Sequence, residues 1–497
     1  MDLDRTTCRR ARLARDARFD GRFFVAVKTT GVFCRPICPA VPPQERNVEY
    51  FPTAAAASEA GFRACLRCRP ECAPGTPAWT GASTTVARAL RLIGDGALEE
   101  DGIDRLAARL GVGARHLRRL FVEHLGASPI AIAQTRRLLS AKRLIDETEI
   151  PLTTVAMASG FGSIRRFNSA FLASYGRSPR ELRQAVLRSP RSEVRTPRQA
   201  GRNGHRMAPG QPRALYSFQL RYRPPFDWET LLAFLAPRAI PGVEAIDAGT
   251  YRRSIEIDGK GGWLEVTRRD PAALTLSIGF PEPRDVLRIV SRVRHLFDLD
   301  ADPMTIDRHL AADTLLAPLV RRRPGMRVPG AWDGFELGVR AILGQQVSVA
   351  AATPLAGRLV ARVGRPRASG VARLTHCFPS PADLATAPVE QIGVPKKRAD
   401  AIRAFAAAVA RGAVCFDAAI DPDHFRRALR ELPGIGDWTA EYIALRALGD
   451  PDAFPSGDLG LRRATGISSA RKLSERAQAW RPWRGYAALH LWQGATK

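Results

Sequence analysis

The sequence predicts a multidomain chain, mostly α-helical with α+β parts, and three observations carry that prediction. At 497 residues the chain exceeds what one hydrophobic core serves, while its 45% apolar content suffices for several. Four of its eight cysteines fall inside residues 34–68, which marks a small unit near the N-terminus. Strand-like alternation is confined to residues 216–279, whereas helical spacing dominates before it, in a repeated segment, and again from residue 331 onward.

The element pattern gives five parts in chain order. Residues 1–78 hold the cysteines, and residues 83–187 hold the helical repeat. Residues 188–213 are poor in apolar side chains and rich in Arg, Pro, Gly and Ser, and they predict an extended, mobile linker. Residues 214–330 form an α+β part with an antiparallel sheet, and residues 331–497 are all-α. The strands are YSFQLRYR, YRRSIEID, GWLEVTRR and ALTLSIG, with helices near 228–236 and 284–297.

Net charge bounds the function. Lys and Arg number 76 against 49 Asp and Glu, leaving +27. Residues 1–220 hold 36 basic and 19 acidic side chains, 36 − 19 = +17. Such an excess predicts a polyanionic partner, most often nucleic acid. No run of about 18 apolar residues is present, so no membrane span is expected. The start, MDLDRTTCRRARLARD, carries acids and no apolar core, so it is not a signal peptide and the chain is expected in the cytoplasm. In that reducing compartment, clustered cysteines favour metal ligation or catalysis over disulfides.

Cys34, Cys38, Cys65 and Cys68 stand as C-x3-C-x26-C-x2-C. Two close pairs separated by a longer span suit one tetrahedral zinc ion with four thiolate ligands, each pair chelating from one turn. The spacing alone suits a purely structural zinc knuckle. Cys8, Cys72, Cys377 and Cys415 lie outside the pattern and are ordinary thiols.

LGVGARHLRRLFVEHLGASP (110–129) returns as SGFGSIRRFNSAFLASYGRSP (159–179), one residue longer. IDRLAARLG and VAMASG precede the copies as short helices ending at Gly111 and Gly160. Helix, glycine turn and second helix, twice over, predicts two helix-turn-helix units. Arg115, Arg118 and Arg119 in the first copy, and Arg165 and Arg166 in the second, sit early in the helix that would enter the major groove. A helical bundle with a solvated basic face is the plainer alternative. With repeat, turn and charge together, residues 84–185 resemble the DNA-binding domain of AraC-type transcription regulators.

In the C-terminal part, LRELPGIGDWTAEYIALRALGD (429–450) is a helix, a tight hairpin with Gly434 and Gly436, and a second helix. Free backbone N–H groups at that helix start suit a DNA phosphate. Asp458 follows in AFPSGDLGL, as in the helix-hairpin-helix DNA glycosylases, which this arrangement resembles. YRPPFDW, FELGVRAILGQQVSV, LPGIGDWTAEY and WRPWRGYAALHLW together resemble the AlkA family of 3-methyladenine DNA glycosylases. FCRPICPA with GFRACLRC resembles the N-terminal domain of the Ada family.

What these resemblances imply is specific. Cys34 is the zinc-bound thiolate that irreversibly accepts a methyl group from a DNA methylphosphotriester, and Cys38, Cys65 and Cys68 complete the zinc site. Zinc keeps the sulfur deprotonated, the nucleophilic form. Methylation takes the site from a net charge near −2 to about −1, easing repulsion from DNA and so activating transcription of repair genes. Asp458 is the glycosylase carboxylate. Trp438, Tyr442, Trp492 and Phe234 match aromatic base-pocket positions, suited to a flipped, positively charged base. Trp438 stands where bifunctional relatives carry a lysine, so excision without strand cleavage is expected. Gln346 occupies the position of an apolar wedge. One zinc ion and no organic cofactor are expected. The partners are double-stranded DNA, as alkylated lesions and a promoter operator, and RNA polymerase, with the protein on the nucleoid. The alternative is a zinc-containing AraC-type regulator whose glycosylase half binds DNA without turnover. Isolated aromatics such as Phe234 also suit a plain core role, and Asp458 also suits a helix N-cap.

Overall fold

The computed structural model describes residues 4–74, 84–94, 98, 102–148, 150–188, 215–367, 370–416 and 421–494. The linker expected at 188–213 lies, apart from Arg188, outside them. The chain divides into two compact units, each discontinuous in sequence: residues 1–208, 212–223 and 269–291 form one, and residues 209–211, 224–268 and 292–497 form the other.

The first unit opens with the helix Arg5–Leu13, whose N-terminus is capped by the Asp4 carboxylate accepting the Thr7 N–H. Next to it stands a four-stranded sheet in the order Val48–Phe51, Phe24–Val27, Val32–Cys34, Arg63–Ala64. The first three strands are antiparallel and the last is parallel to its neighbour. Phe24–Val27 is buried at every position, and a central strand covered on both faces needs its continuous apolar run.

The repeat folds as two helix-turn-helix units. The helices Gly102–Arg109 and Ala114–Leu125 form the first, and Leu152–Ala158 and Ile164–Tyr175 the second, joined by the long helix Pro129–Glu147. The two second helices match at an offset of fifty positions, Leu117, Phe121 and Leu125 burying as Phe167, Phe171 and Tyr175 do. The extra residue of the second copy falls in its turn. Both helices end on a glycine in the left-handed region, Gly126 and Gly176, a conformation that a side chain resists.

The cysteine sheet is packed onto this helical region. Ala55 and Ala56 share a small core with Ala127 and Ala131, and Thr53 Oγ1 donates to the Leu125 carbonyl at 2.9 Å. Arg69 forms ion pairs of 3.2 Å with Glu71, Asp146 and Glu147, the last two at the end of the long helix. Lys142 pairs with Asp146 at 2.5 Å. An antiparallel pair, Leu215–Arg221 with Ala273–Gly279, also belongs to this unit, where Arg143 donates to the Gln219 carbonyl at 3.0 Å.

The second unit holds an antiparallel meander, Glu244–Asp247, Thr250–Ile257 and residues 260–268 of the strand Lys260–Asp270, and then helices. The sequence reading did not find the strand Glu244–Asp247, nor the short strands of the cysteine sheet and the pair Arg365–Pro366 and His376–Cys377, which are too short to display alternation. The helix Gly334–Leu343 is buried along almost its whole length. Phe335 stacks on Phe405 at 5.6 Å, and Gly338 lies so close that a Cβ there would meet the Phe405 ring at 2.3 Å. Among the described residues, no helix is long and apolar enough to cross a membrane.

Candidate functional sites

The sheet of the first unit is what brings the two cysteine pairs together. Cys34 ends one strand, and Cys65 follows the strand beside it, its N–H donating to the Phe33 carbonyl at 3.0 Å. A turn closed by the Cys38 N–H on the Arg35 carbonyl returns Cys38 toward Cys34. All four Sγ atoms lie within 4.8 Å of one another. A tetrahedral zinc with arms of about 2.3 Å needs sulfurs about 3.8 Å apart, so the residues present fit a four-thiolate ion.

Hydrogen bonding among the four thiol groups raises Cys34 and Cys68, lowers Cys65, and lowers Cys38 to about 7. Arg35, on the turn between the first pair, is buried. Its backbone N–H donates to Cys68 Sγ at 3.3 Å and its guanidinium to the Cys68 carbonyl at 3.1 Å, while Asp20 pairs with its other edge. Sequence reading missed Arg35 and Asp20, since nothing local joins residues fifteen apart.

In the helix-turn-helix units, Arg115, Arg165 and Arg166 are exposed in the first turn of their helices, and Arg118 and Arg119 are exposed in the second turn of Ala114–Leu125. Neither helix carries an acid in its first turn, so each N-terminus is uniformly positive. With an offset of fifty, Asn168 and Ser169 stand where the first copy has Arg118 and Arg119, so the two helices offer different donors.

In the second unit, the helix Pro422–Arg430 is followed by a hairpin and the helix Asp437–Arg446. Gly434 takes φ +78° at the turn, where a Cβ would press to 2.9 Å on Ala401. Gly436 caps the second helix, and a Cβ built there would meet nothing within 4 Å, leaving room for a phosphate. The spacing 438, 442, 446 places Trp438, Tyr442 and Arg446 on one helix face.

Trp438 stacks on Tyr442, rings 5.3 Å apart and 9° from parallel, and Tyr442 meets Trp492 edge-on at 6.5 Å. Asp458 sits at the N-cap of the helix Leu459–Thr465. Trp438 Nε1 donates to its Oδ2 at 2.8 Å, and Trp492 Nε1 to its Oδ1 at 2.9 Å, which also accepts the Leu461 N–H. The N-cap and the indole-held carboxylate are therefore one group.

Phe234 is buried under two cations, Arg238 at 3.8 Å and Arg446 at 5.2 Å from its ring centre. Arg446 also donates to the Tyr442 hydroxyl at 2.6 Å and to the Pro329 and Gly330 carbonyls. Burial would raise the Tyr442 hydroxyl, but Arg446 and Arg238 hold it below its ordinary range. Neither arginine was among the expected residues, although the i, i+4 spacing of Tyr442 and Arg446 could have pointed to the second. Gln346 is exposed on the loop after Gly334–Leu343.

Family models match four segments: the metal binding domain of Ada over residues 7–71, a helix-turn-helix domain over 106–185, the AlkA N-terminal domain over 217–333, and the HhH-GPD superfamily of base excision DNA repair proteins over 339–479. A probable bifunctional transcriptional activator/DNA repair enzyme AlkA of Mycobacterium tuberculosis strain H37Rv is 44% identical over 496 residues, covering 99% of this chain and 97% of that protein. DNA-3-methyladenine glycosylase 2 of Escherichia coli K12 is 37% identical over 288 residues, 55% of this chain and 96% of its own length. Over 152 residues, 30% of this chain and 40% of the other, the bifunctional activator/repair enzyme Ada of the same organism is 36% identical. The 3-methyladenine DNA glycosylase of Archaeoglobus fulgidus shares the fold, with a TM-score of 0.50 at 23% identity over 56% of this chain and 98% of that one. With all four segments in one order and identity sustained from end to end, the chain belongs to the family of bifunctional AlkA/Ada-type transcriptional activators and DNA repair enzymes.

Proposed function

We propose that this protein transfers a methyl group from DNA methylphosphotriesters to Cys34, activates repair genes as a result, and excises alkylated bases such as 3-methyladenine without cutting the strand. The observation that carries the excision half is the Asp458 carboxylate, each of whose oxygens is held by an indole N–H from the aromatic cluster.

In the excision reaction, the bond between C1′ and the base nitrogen breaks with its electron pair leaving on the base. The alkylated base is already cationic, so it departs neutral. Asp458 faces the positive charge that develops on the sugar and orients the water that adds to C1′, taking up the proton that the water loses as its oxygen bonds to carbon. The indole bonds keep the carboxylate in one rotamer. Trp438, Tyr442, Trp492 and Phe234 stack around the extruded base. With an indole at position 438 there is no amine for a Schiff base, so the backbone stays intact. Gly434 and Gly436 hold the flanking phosphate, and Gln346 occupies the gap left by the base.

In the transfer reaction, Cys34 Sγ attacks the methyl carbon, the methyl–oxygen bond breaks, and the phosphodiester leaves as an anion. A zinc ion held by Cys34, Cys38, Cys65 and Cys68 would keep the sulfur deprotonated at neutral pH. Arg35 braces the Cys68 side of the cluster, while Cys34 sits at a strand end. The product thioether is one negative charge poorer, which favours operator DNA under Arg115, Arg118, Arg119, Arg165 and Arg166 and the recruitment of RNA polymerase.

The test uses the full chain on methylated duplex DNA. Release of 3-methyladenine by the wild type, lost in Asp458→Asn, supports the excision half. No release by the wild type leaves a regulator whose second half only holds DNA. Mass spectrometry should place a single methyl on Cys34, and a mark on another cysteine rejects the acceptor assignment.

A further inference from the structure

The loop that carries Gln346 is fastened in an unusual way. It runs from Gly344 to Ser348, between the helices Gly334–Leu343 and Val349–Val363. Gln346 is exposed at its tip with φ +56°, a left-handed conformation that a side chain adopts rarely and that its surroundings must impose.

The preceding residue supplies the constraint. Gln345 turns its amide away from the tip, toward the hairpin. Its Nε2 donates to the Gly434 carbonyl at 2.8 Å and to Thr439 Oγ1 at 2.9 Å, so both amide protons are used. Its own backbone carbonyl accepts from Arg398 Nη2 at 2.7 Å, from the helix Lys396–Ala410. One residue thus joins the loop tip to the hairpin turn at Gly434 and to the first turn of the helix bearing Trp438 and Tyr442.

We propose that Gln345 is a positioning residue for base extrusion, fixing Gln346 at a set offset from the phosphate-holding hairpin. Docking of a phosphate at Gly434–Gly436 then drives the tip into the duplex beside the base to be flipped. The chemistry of the side chain is specific to this task. Glutamate has the same length but cannot donate to either acceptor, and its carboxylate would face the Gly434 carbonyl. This inference rests on the glycosylase reading above.

The experiment compares the full-length wild type with Gln345→Glu and Gln345→Ala on two duplexes carrying the same N-alkylpurine. In one the lesion is paired, and in the other it stands opposite a mismatch and is already loosened. Extrusion costs least for a mismatched base, so the variants should lose about tenfold or more in excision on the paired duplex and far less on the mismatched one. Thermal unfolding of each variant is measured alongside. Equal losses on both duplexes, or no loss on either, overturn the proposal. A second readout separates its failure from failure of the glycosylase reading. A fluorescent 2-aminopurine at the lesion position brightens when unstacked by bound protein, and Gln345→Glu should reduce that signal. If the wild type excises nothing yet brightens the probe and the variant does not, the reading of excision fails and the positioning role stands. If wild type and variant brighten it alike, the positioning role falls.

Discussion

Trp438 and Asp458, twenty residues apart in the chain, are joined by an indole N–H that donates to the carboxylate at 2.8 Å, and Trp492 completes the clamp from the C-terminal helix at 2.9 Å. Each indole therefore has two roles, an aromatic face toward the cluster and a polar edge toward the acid.

The two roles are separable. Trp438→Phe and Trp492→Phe keep a six-membered aromatic ring and lose the five-membered half of the indole with its N–H. A hydrogen bond to a charged group contributes about 1.5–3 kcal/mol, so each variant should excise alkylated bases about 10- to 100-fold more slowly, measured as single-turnover rates. Asp458→Asn should cost more, on the order of 10³-fold, because it removes the charge itself. A phenylalanine variant with full activity shows that stacking alone matters at that position.

At the cysteine cluster, Cys38→Ser should abolish stoichiometric zinc retention and methyl acceptance together, whereas Cys34→Ser should abolish acceptance with a smaller loss of metal. Zinc content by atomic absorption and methyl transfer by mass spectrometry read the two effects independently. Chelation of the wild type should unfold the N-terminal sheet, because binding energy and folding energy are shared at such a site.

Arg69 is the cation between Glu71, Asp146 and Glu147. Removing it in Arg69→Ala leaves buried Glu71 and Asp146 to Lys142, and Glu147 to Arg143. With the Arg69 side chain 35% exposed, the loss should be about 2 kcal/mol, below that of a fully buried pair. Proteolysis between the cysteine sheet and the helical repeat should become faster in that variant.

His490 is buried, and burial followed by the Arg323 charge depresses it to about 4. A histidine depressed on folding takes up its proton in the unfolded chain first, so its contribution to stability is present above pH 6.5 and lost as pH falls toward 4. Compared with His490→Gln, the wild type should lose up to about 3 kcal/mol over that window. Asp298 and Asp307, both raised to about 6 chiefly by burial, act in the opposite sense, so the difference between the two proteins is the quantity to measure. An unchanged difference between pH 7 and pH 4 contradicts the shift.

Much of this molecule was legible before any coordinates. Glycine turns, apolar spacing of 3.6 and a repeat place the helix-turn-helix units, because those signals act within a single turn of chain. Likewise the pairs Cys34/Cys38 and Cys65/Cys68 announce a metal site through local spacing. Glu244–Asp247 escaped because four residues are too few to show a period. Arg35 and Asp20 escaped because they are fifteen residues apart, and no local pattern encodes a meeting made at a strand end.

By itself, the sequence determined the kinds of parts: a four-cysteine cluster, two helix-turn-helix units with basic second helices, and a glycine hairpin with an aspartate downstream. Only the tertiary structure decided that both oxygens of Asp458 are held by indoles, that Arg446 bridges Phe234 and Tyr442, and that Gln345 ties the Gln346 loop to the hairpin. Residue type and spacing are set by bonds along the chain, whereas the direction in which a donor points is set by packing between elements that the chain brings together last.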